Sequence, residues 1–91
     1  MADQATIATD ILARYAADAA REVEGVRAIA GRRGVRISGK EAVRIEVHLL
    51  VARGISIPAL GRGVQARVRE YLASMADVEP ASVDVVVDGL E

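Results

Sequence analysis

The run VRIEVHLLVA at residues 43–52 decides the fold, because its apolar side chains return at every second position. Such a period of two is typical of a β-strand with one buried and one open face. The buried face is predicted to carry Val43, Ile45, Val47, Leu49 and Val51. The opposite face carries Arg44, Glu46, His48 and Leu50. We therefore expect this strand to lie in a sheet that packs one of its faces against helices.

Shorter alternating runs on both sides of this strand predict its neighbours in the sheet. VRIS at residues 35–38 precedes it across a turn at 39–41, which predicts a hairpin. SVDVVVD at residues 82–88 alternates again and predicts a final strand. The apolar segment 26–30 either begins the first strand or forms a short strand of its own, with GRRG at 31–34 as a bulge or turn. The sequence leaves both alternatives open.

The segment before the sheet predicts a first helix at about residues 8–24. Thr9 or Asp10 is suited to the start of this helix, and Gly25 is the expected residue just past its end. The predicted apolar face consists of Ile7, Ile11, Tyr15, Ala19 and Val23, with Leu12, Ala16 and Ala20 beside it.

A second helix is predicted to begin at Ser56 and Pro58, since proline is favoured in a first turn. It ends near Ala76, and its apolar positions repeat at steps of four and three residues. These positions are Leu60, Val64, Val68, Leu72 and Met75. The glycines of GRGVQA at 61–66 match a loose dinucleotide-binding pattern, but this pattern must follow a strand, so we interpret them as sites of close helix packing.

The resulting order is helix, strand, strand, helix, strand. It predicts an α+β two-layer sandwich with a small mixed sheet and both helices on one sheet face. The other face then stays open and forms our candidate interaction face. Its residues are Arg44, Glu46, His48, Leu50, Asp84, Val86 and Asp88. Because Leu50 and Val86 are apolar where water is expected, we predict that this face mediates self-association or binds a partner.

Length and composition narrow the class of protein. The 91 residues suit a single domain over residues 1–91, with a core at about 7–90. The chain has no cysteine and one histidine, which excludes disulfides and zinc sites built from Cys or His, so we expect no metal and no cofactor. No apolar run is long enough to span a bilayer, and we expect a cytoplasmic protein without direct membrane insertion. His48 has no recognisable nucleophile motif beside it, and we expect no catalytic residue and no enzyme.

A cluster of arginines supports an alternative function. The net charge of −1 and the aromatic content of 2% argue against a nucleic-acid partner in general. However, GRRG at 31–34 has the form of the GXXG loop of KH domains, although that loop joins two helices and this one leads into a strand. The candidate anion or RNA patch is Arg27, Arg32, Arg33 and Arg36. The alternative is therefore a small KH-like domain that binds single-stranded RNA.

Several short motifs, in order along the chain, resemble one known family. They are EVEGV at 22–26, GISIP at 54–58, VQ at 64–65 with Val68, and VDVVV at 83–87. Together they are similar to the alkaline shock protein family of bacterial envelope stress response proteins. The resemblance implies a non-enzymatic cytoplasmic protein that assembles with itself and lies beneath the cell membrane, held there by a membrane-anchored protein partner. It implies no catalytic, cofactor-binding or metal-binding residues.

Overall fold

The computed structural model describes residues 2–31 and 34–91, and the side chains from residue 9 onward within these ranges. The elements are α1 (Ala2–Arg21), β1 (Val26–Ile29), β2 (Val35–Ser38), β3 (Arg44–Val51), α2 (Ile57–Ala76) and β4 (Ser82–Leu90). The predicted α+β fold with a mixed sheet is confirmed. The segment that the sequence left open forms a strand of its own, β1, so the order is helix, three strands, helix, strand.

β3 is the centre of the sheet and pairs with all three other strands. β4 runs parallel to β3 along its whole length, from Arg44 opposite Ser82 to Val51 opposite Leu90. β1 and β2 are both antiparallel to β3 and share its other edge, end to end. They are interrupted opposite His48, whose carbonyl accepts from the Ala30 N–H at 2.8 Å and whose N–H donates to the Gly34 carbonyl at 2.6 Å.

The core lies between the sheet and the two helices. The odd-numbered side chains of β3 from Ile45 to Val51 are at most 1% exposed, as the alternation predicts. α2 packs against them with four buried residues, Leu60, Val64, Val68 and Leu72. Met75, which the sequence placed on the same face, is 52% exposed, because the helix has turned that position towards solvent. Among the described residues, the buried members of this core are all aliphatic, and the partly buried Tyr15 and Tyr71 pack against them.

α1 differs from its predicted position in two ways. It begins at Ala2 and ends at Arg21, so Thr9 and Asp10 lie inside the helix rather than at its start. Beyond Arg21 the Glu22 N–H donates to the carbonyl of Ala19, three residues back. Gly25 adopts a φ of 99° in the turn that follows. The helix thus stops earlier than expected because its last turn changes to bonds three residues apart.

The buried face of α1 is also rotated from the predicted one. Its buried residues are Leu12, Ala16, Ala19 and Ala20. Ile11, predicted to be central, is 39% exposed, and the side chain of Ile7 lies outside the described residues. Small alanines let α1 approach α2 and the sheet closely, and the larger Tyr15 packs at the margin against Tyr71, with ring centroids 5.9 Å apart.

The ends of α2 agree with the sequence. The Ser56 side chain accepts a hydrogen bond from the Ala59 N–H at 3.2 Å, and Asp77 closes the helix in the left-handed conformation. The expected role of Gly61 in helix packing is wrong, since a Cβ atom there would meet nothing within 4 Å. At Gly63 a Cβ would lie 3.6 Å from Val23, an ordinary contact distance.

Candidate functional site

The face of the sheet opposite the helices, which we call the open sheet face, carries all seven residues of the predicted interaction face. Four of them belong to β3 and three to β4, in the alternate positions to the buried side chains. The parallel register places Glu46 opposite Asp84 and His48 opposite Val86. Residues about forty positions apart in the sequence therefore meet on one surface, which is formed by β3 and β4.

His48 lies between two carboxylates at the middle of this face. Its Nε2 is 2.5 Å from Glu46 Oε2, and its Nδ1 is 3.1 Å from both carboxylate oxygens of Asp88. The imidazole is 23% exposed, so water has limited access to the contacts. The hydrogen bond with Glu46, followed by that with Asp88, raises the pKa of His48 above its ordinary value, while partial burial opposes the change. The arrangement favours a charged imidazolium that donates from both ring nitrogens.

A β-bulge in β4 brings Asp88 to His48. Leu49 is opposite Val87 whereas Leu50 is opposite Gly89, so Asp88 is an extra residue in the ladder. A Cβ on Gly89 would lie 3.2 Å from the Leu50 side chain, which places Gly89 on the open sheet face as well. The sequence predicted that Asp88 lies on this face, but it did not predict the bulge. A glycine inside a strand often marks a bulge, so Gly89 is the signal that could have indicated it.

The geometry of this cluster does not resemble a metal centre or a catalytic triad. Glu46 and Asp88 contact opposite nitrogens of the ring, so their oxygens do not converge on a common point. In the part of the chain that the structure describes, no group of three or more potential ligands could hold a metal ion. Because both ring nitrogens already contact carboxylates, neither is available to activate a nucleophile. The cluster is suited to balancing charge on a surface.

Apolar side chains lie directly beside these charges. Val86, opposite His48 in the ladder, is 37% exposed, and Leu50 is partly exposed next to Gly89. An apolar centre with charged neighbours is typical of surfaces that bind other proteins. The open sheet face therefore combines apolar residues, whose burial in an interface is favourable, with charged residues, which determine which partner can bind.

The predicted arginine patch is only partly described by the structure. Arg27 and Arg36 are exposed, while Arg32 and Arg33 lie outside the described residues. Arg36 is directly opposite Glu46 in the β2–β3 ladder, so the two residues lie on the same face of the sheet. Arg27 occupies the irregular position in the pairing of β1 with β3. Unlike the KH loop, the 31–34 segment joins two halves of a sheet edge.

Comparisons with curated and solved proteins show what this chain is similar to. A protein from Bacillus subtilis (strain 168), the uncharacterized protein YqhY, is 25% identical over 101 residues, which covers 93% of this chain and 75% of the relative. The fold is similar to that of the MamM CTD. A histidine variant of that domain gives a TM-score of 0.61 with 14% identity, over 90% of this chain and 98% of the other. The manganese form of a glutamate variant of the same domain gives a TM-score of 0.58 with 15% identity, over 88% of this chain and 96% of the other.

The family assignment comes from a match over most of the chain. Residues 30–91, which contain β2, β3, α2, β4 and hence the open sheet face, match the model of the alkaline shock protein 23 family, described as having a cell envelope-related function. Among the described residues, no helix is both long and apolar enough to cross a membrane. The likeness to the MamM CTD concerns the fold alone. On the strength of the family match, this chain belongs to the alkaline shock protein 23 family, whose function is related to the cell envelope.

Proposed function

We propose that this protein is a non-enzymatic structural component of the bacterial envelope stress response. In this proposal it lies in the cytoplasm at the inner face of the cell membrane, associates with further copies of itself, and is recruited to the membrane by a protein partner. The family match supports the link to the envelope. The open sheet face supports the self-association.

The observation that carries the proposal is that both helices cover the same face of the sheet. Leu50 and Val86 remain at the centre of the other face, around a histidine held between two carboxylates. Covering these side chains in an assembly removes apolar surface from water, which is favourable. When His48 is protonated it offsets one of the two carboxylate charges, and this lowers the cost of bringing two such faces together.

Self-association is tested by light scattering after size exclusion over a wide concentration range. We expect the mass of the parent to rise with concentration and the masses of Leu50→Glu and Val86→Glu to stay below it, because a new carboxylate at either position must be buried on contact. Met75→Glu is the matched control, since Met75 is an exposed apolar residue on α2, away from the sheet face. A parent that is monomeric at every concentration contradicts the proposal.

Recruitment by a protein partner is tested with isolated membranes. We expect the purified chain to bind envelope membranes, and to lose this binding when the membranes are first treated with protease. Vesicles made from the extracted lipids are the control and should bind no protein. Equal binding to lipid vesicles and to untreated membranes would show that lipid, rather than a protein, recruits the chain.

A further inference from the structure

The two edges of the sheet differ in their suitability for pairing. The edge formed by β1 and β2 consists of two four-residue strands, with an irregular position at Arg27 and an interruption opposite His48. Such breaks protect an edge from adding another strand. The outer edge of β4 is nine residues long and regular up to the bulge at Asp88. Among residues 2–31 and 34–91, no strand pairs with it.

The backbone groups on this edge can be assigned from the pairing of β4 with β3. The backbone N–H and C=O of His48 both bond towards β1 and β2, so in the parallel ladder its partner Val86 is the residue that bonds across to β3. Since N–H and C=O groups alternate in direction along a strand, Val83, Val85 and Val87 direct theirs outward. The Val83 carbonyl accepts a hydrogen bond from the Gln65 side chain at 2.9 Å and keeps a second lone pair. This edge therefore offers a row of donors and acceptors that another antiparallel strand can satisfy.

Apolar surface follows the same edge on the helix side of the sheet. Val85 and Val87 are half-buried and line an open groove of about 320 Å³ together with Ile57 of α2. Ile57 is exposed, and Gly61 widens the groove because no atom lies near the position of its absent Cβ. A strand added to β4 would place its own side chains over this groove, so the edge offers apolar contacts as well as hydrogen bonds.

We propose that two copies of the chain pair antiparallel through their β4 edges, around a two-fold axis at Val85. The inference rests on the proposed self-association and adds a second contact surface to the open sheet face. The β4 sequence is suited to pairing with itself because its apolar residues, Val83, Val85 and Val87, share one face. A contact of this kind is isologous, so the same backbone groups of both copies are satisfied at once.

The charges of β4 select the register. An axis at Val86 would place Asp84 opposite Asp88 of the second copy, and an axis at Asp84 would place two copies of Asp84 opposite each other. Directly opposed like charges destabilise a strand pair. With the axis at Val85, each Asp84 is opposite Val86 of the second copy, so no two carboxylates are directly opposed. An axis at Val87 would extend the ladder across the bulge at Asp88, where pairing is disrupted.

Disulfide cross-linking tests this register, because the chain has no cysteine of its own. In the proposed pair the two Val85 residues are directly opposite each other at a hydrogen-bonded position, where Cα atoms are about 5.5 Å apart, a separation that a disulfide can span. Val85→Cys should form a cross-linked dimer under mild oxidation. Val87→Cys is the matched control, since Val87 is half-buried on the same face but should be separated from its copy by roughly 13 Å. Cross-linking of Val87→Cys as fast as Val85→Cys, or none by Val85→Cys, overturns the proposal.

A pair of substitutions at Val85 tests the edge without new cysteines. Val85→Pro removes an outward N–H that makes no bond within the sheet, so the fold should tolerate it while the pairing is lost. Val85→Thr has a side chain of similar size and keeps the N–H, and it should assemble like the parent. We expect light scattering to show a lower assembled mass for Val85→Pro alone. Equal masses for Val85→Pro and the parent, with both folded by circular dichroism, overturn the proposal.

Leu50→Glu separates this inference from the proposed function, because Leu50 lies on β3 and away from the β4 edge. Cross-linking of Val85→Cys that persists in a Leu50→Glu background supports edge pairing independently of the open sheet face. If Leu50→Glu lowers the assembled mass and Val85→Cys does not cross-link, the inference about the edge is wrong while the proposed self-association stands. If the parent is monomeric throughout, both are wrong.

Discussion

The two faces of β3 are built from adjacent residues but differ in what they contribute. The side chains of Ile45, Val47, Leu49 and Val51 are enclosed by the helices, whereas the residues between them carry charges and one partly exposed leucine. The buried face contributes most of the stability, since it removes apolar surface from water. The open face contributes little stability, and its composition is therefore free to serve recognition. A single strand thus supplies both the core and the candidate interaction surface.

The neighbouring residues Leu49 and Leu50 allow the sharpest test of this difference, because the same substitution can be made on each face. Leu49→Ala should lower the free energy of unfolding by about 2–5 kcal/mol, since it leaves a cavity in a fully buried site. Leu50→Ala should cost clearly less, because its side chain keeps contact with water. Urea unfolding at low protein concentration measures both, and equal losses would show that the two faces are not distinct.

α2 offers the same comparison within one helix. Val68→Ala or Leu72→Ala should cost about 2–4 kcal/mol, because both side chains are fully buried against the sheet. Met75→Ala, one turn further along, should change the free energy of unfolding by less than about 0.5 kcal/mol, as is usual for surface positions. Urea melts that match the parent for Leu72→Ala would mean that the helix packs with another face.

The sequence predicted the covered face better than the open one. Periods of two and of three to four residues identified β3, the bounds of α2 and the buried valines, because burial imposes these periods directly. α1 was predicted less well, because its alanine-rich surface left several faces equally apolar and close packing selected the smallest side chains. The contact of His48 with Asp88 depends on the parallel register and the bulge, and both are set by tertiary pairing that no local pattern encodes.

The smallest expected effect concerns pH and the open sheet face. The raised pKa of His48 reflects bonds, first to Glu46 and then to Asp88, that are present in the folded protein. Their stabilisation is complete below the ordinary pKa of 6.5 and is lost as the pH rises through the raised pKa of the folded state. Because both carboxylates are exposed, we expect a loss of about 1 kcal/mol or less.

Thermal unfolding of the parent and of His48→Gln between about pH 6 and pH 9 measures this effect. The parent should lose more stability than His48→Gln as the pH rises, since glutamine does not titrate. Met75→Gln serves as a control that keeps the histidine and should follow the parent. Parallel curves for the parent and His48→Gln would show that the contacts of His48 do not stabilise the fold.

The most direct test of the account is whether assembly covers the open sheet face. Leu50→Cys and Met75→Cys each introduce one thiol into a chain without cysteine, one on the open sheet face and one on the exposed side of α2. The rate of reaction with a thiol reagent is measured as the protein concentration rises through the range of assembly. We predict that the rate falls for Leu50→Cys and stays constant for Met75→Cys. A constant rate for Leu50→Cys in a protein that light scattering shows to assemble would contradict the account.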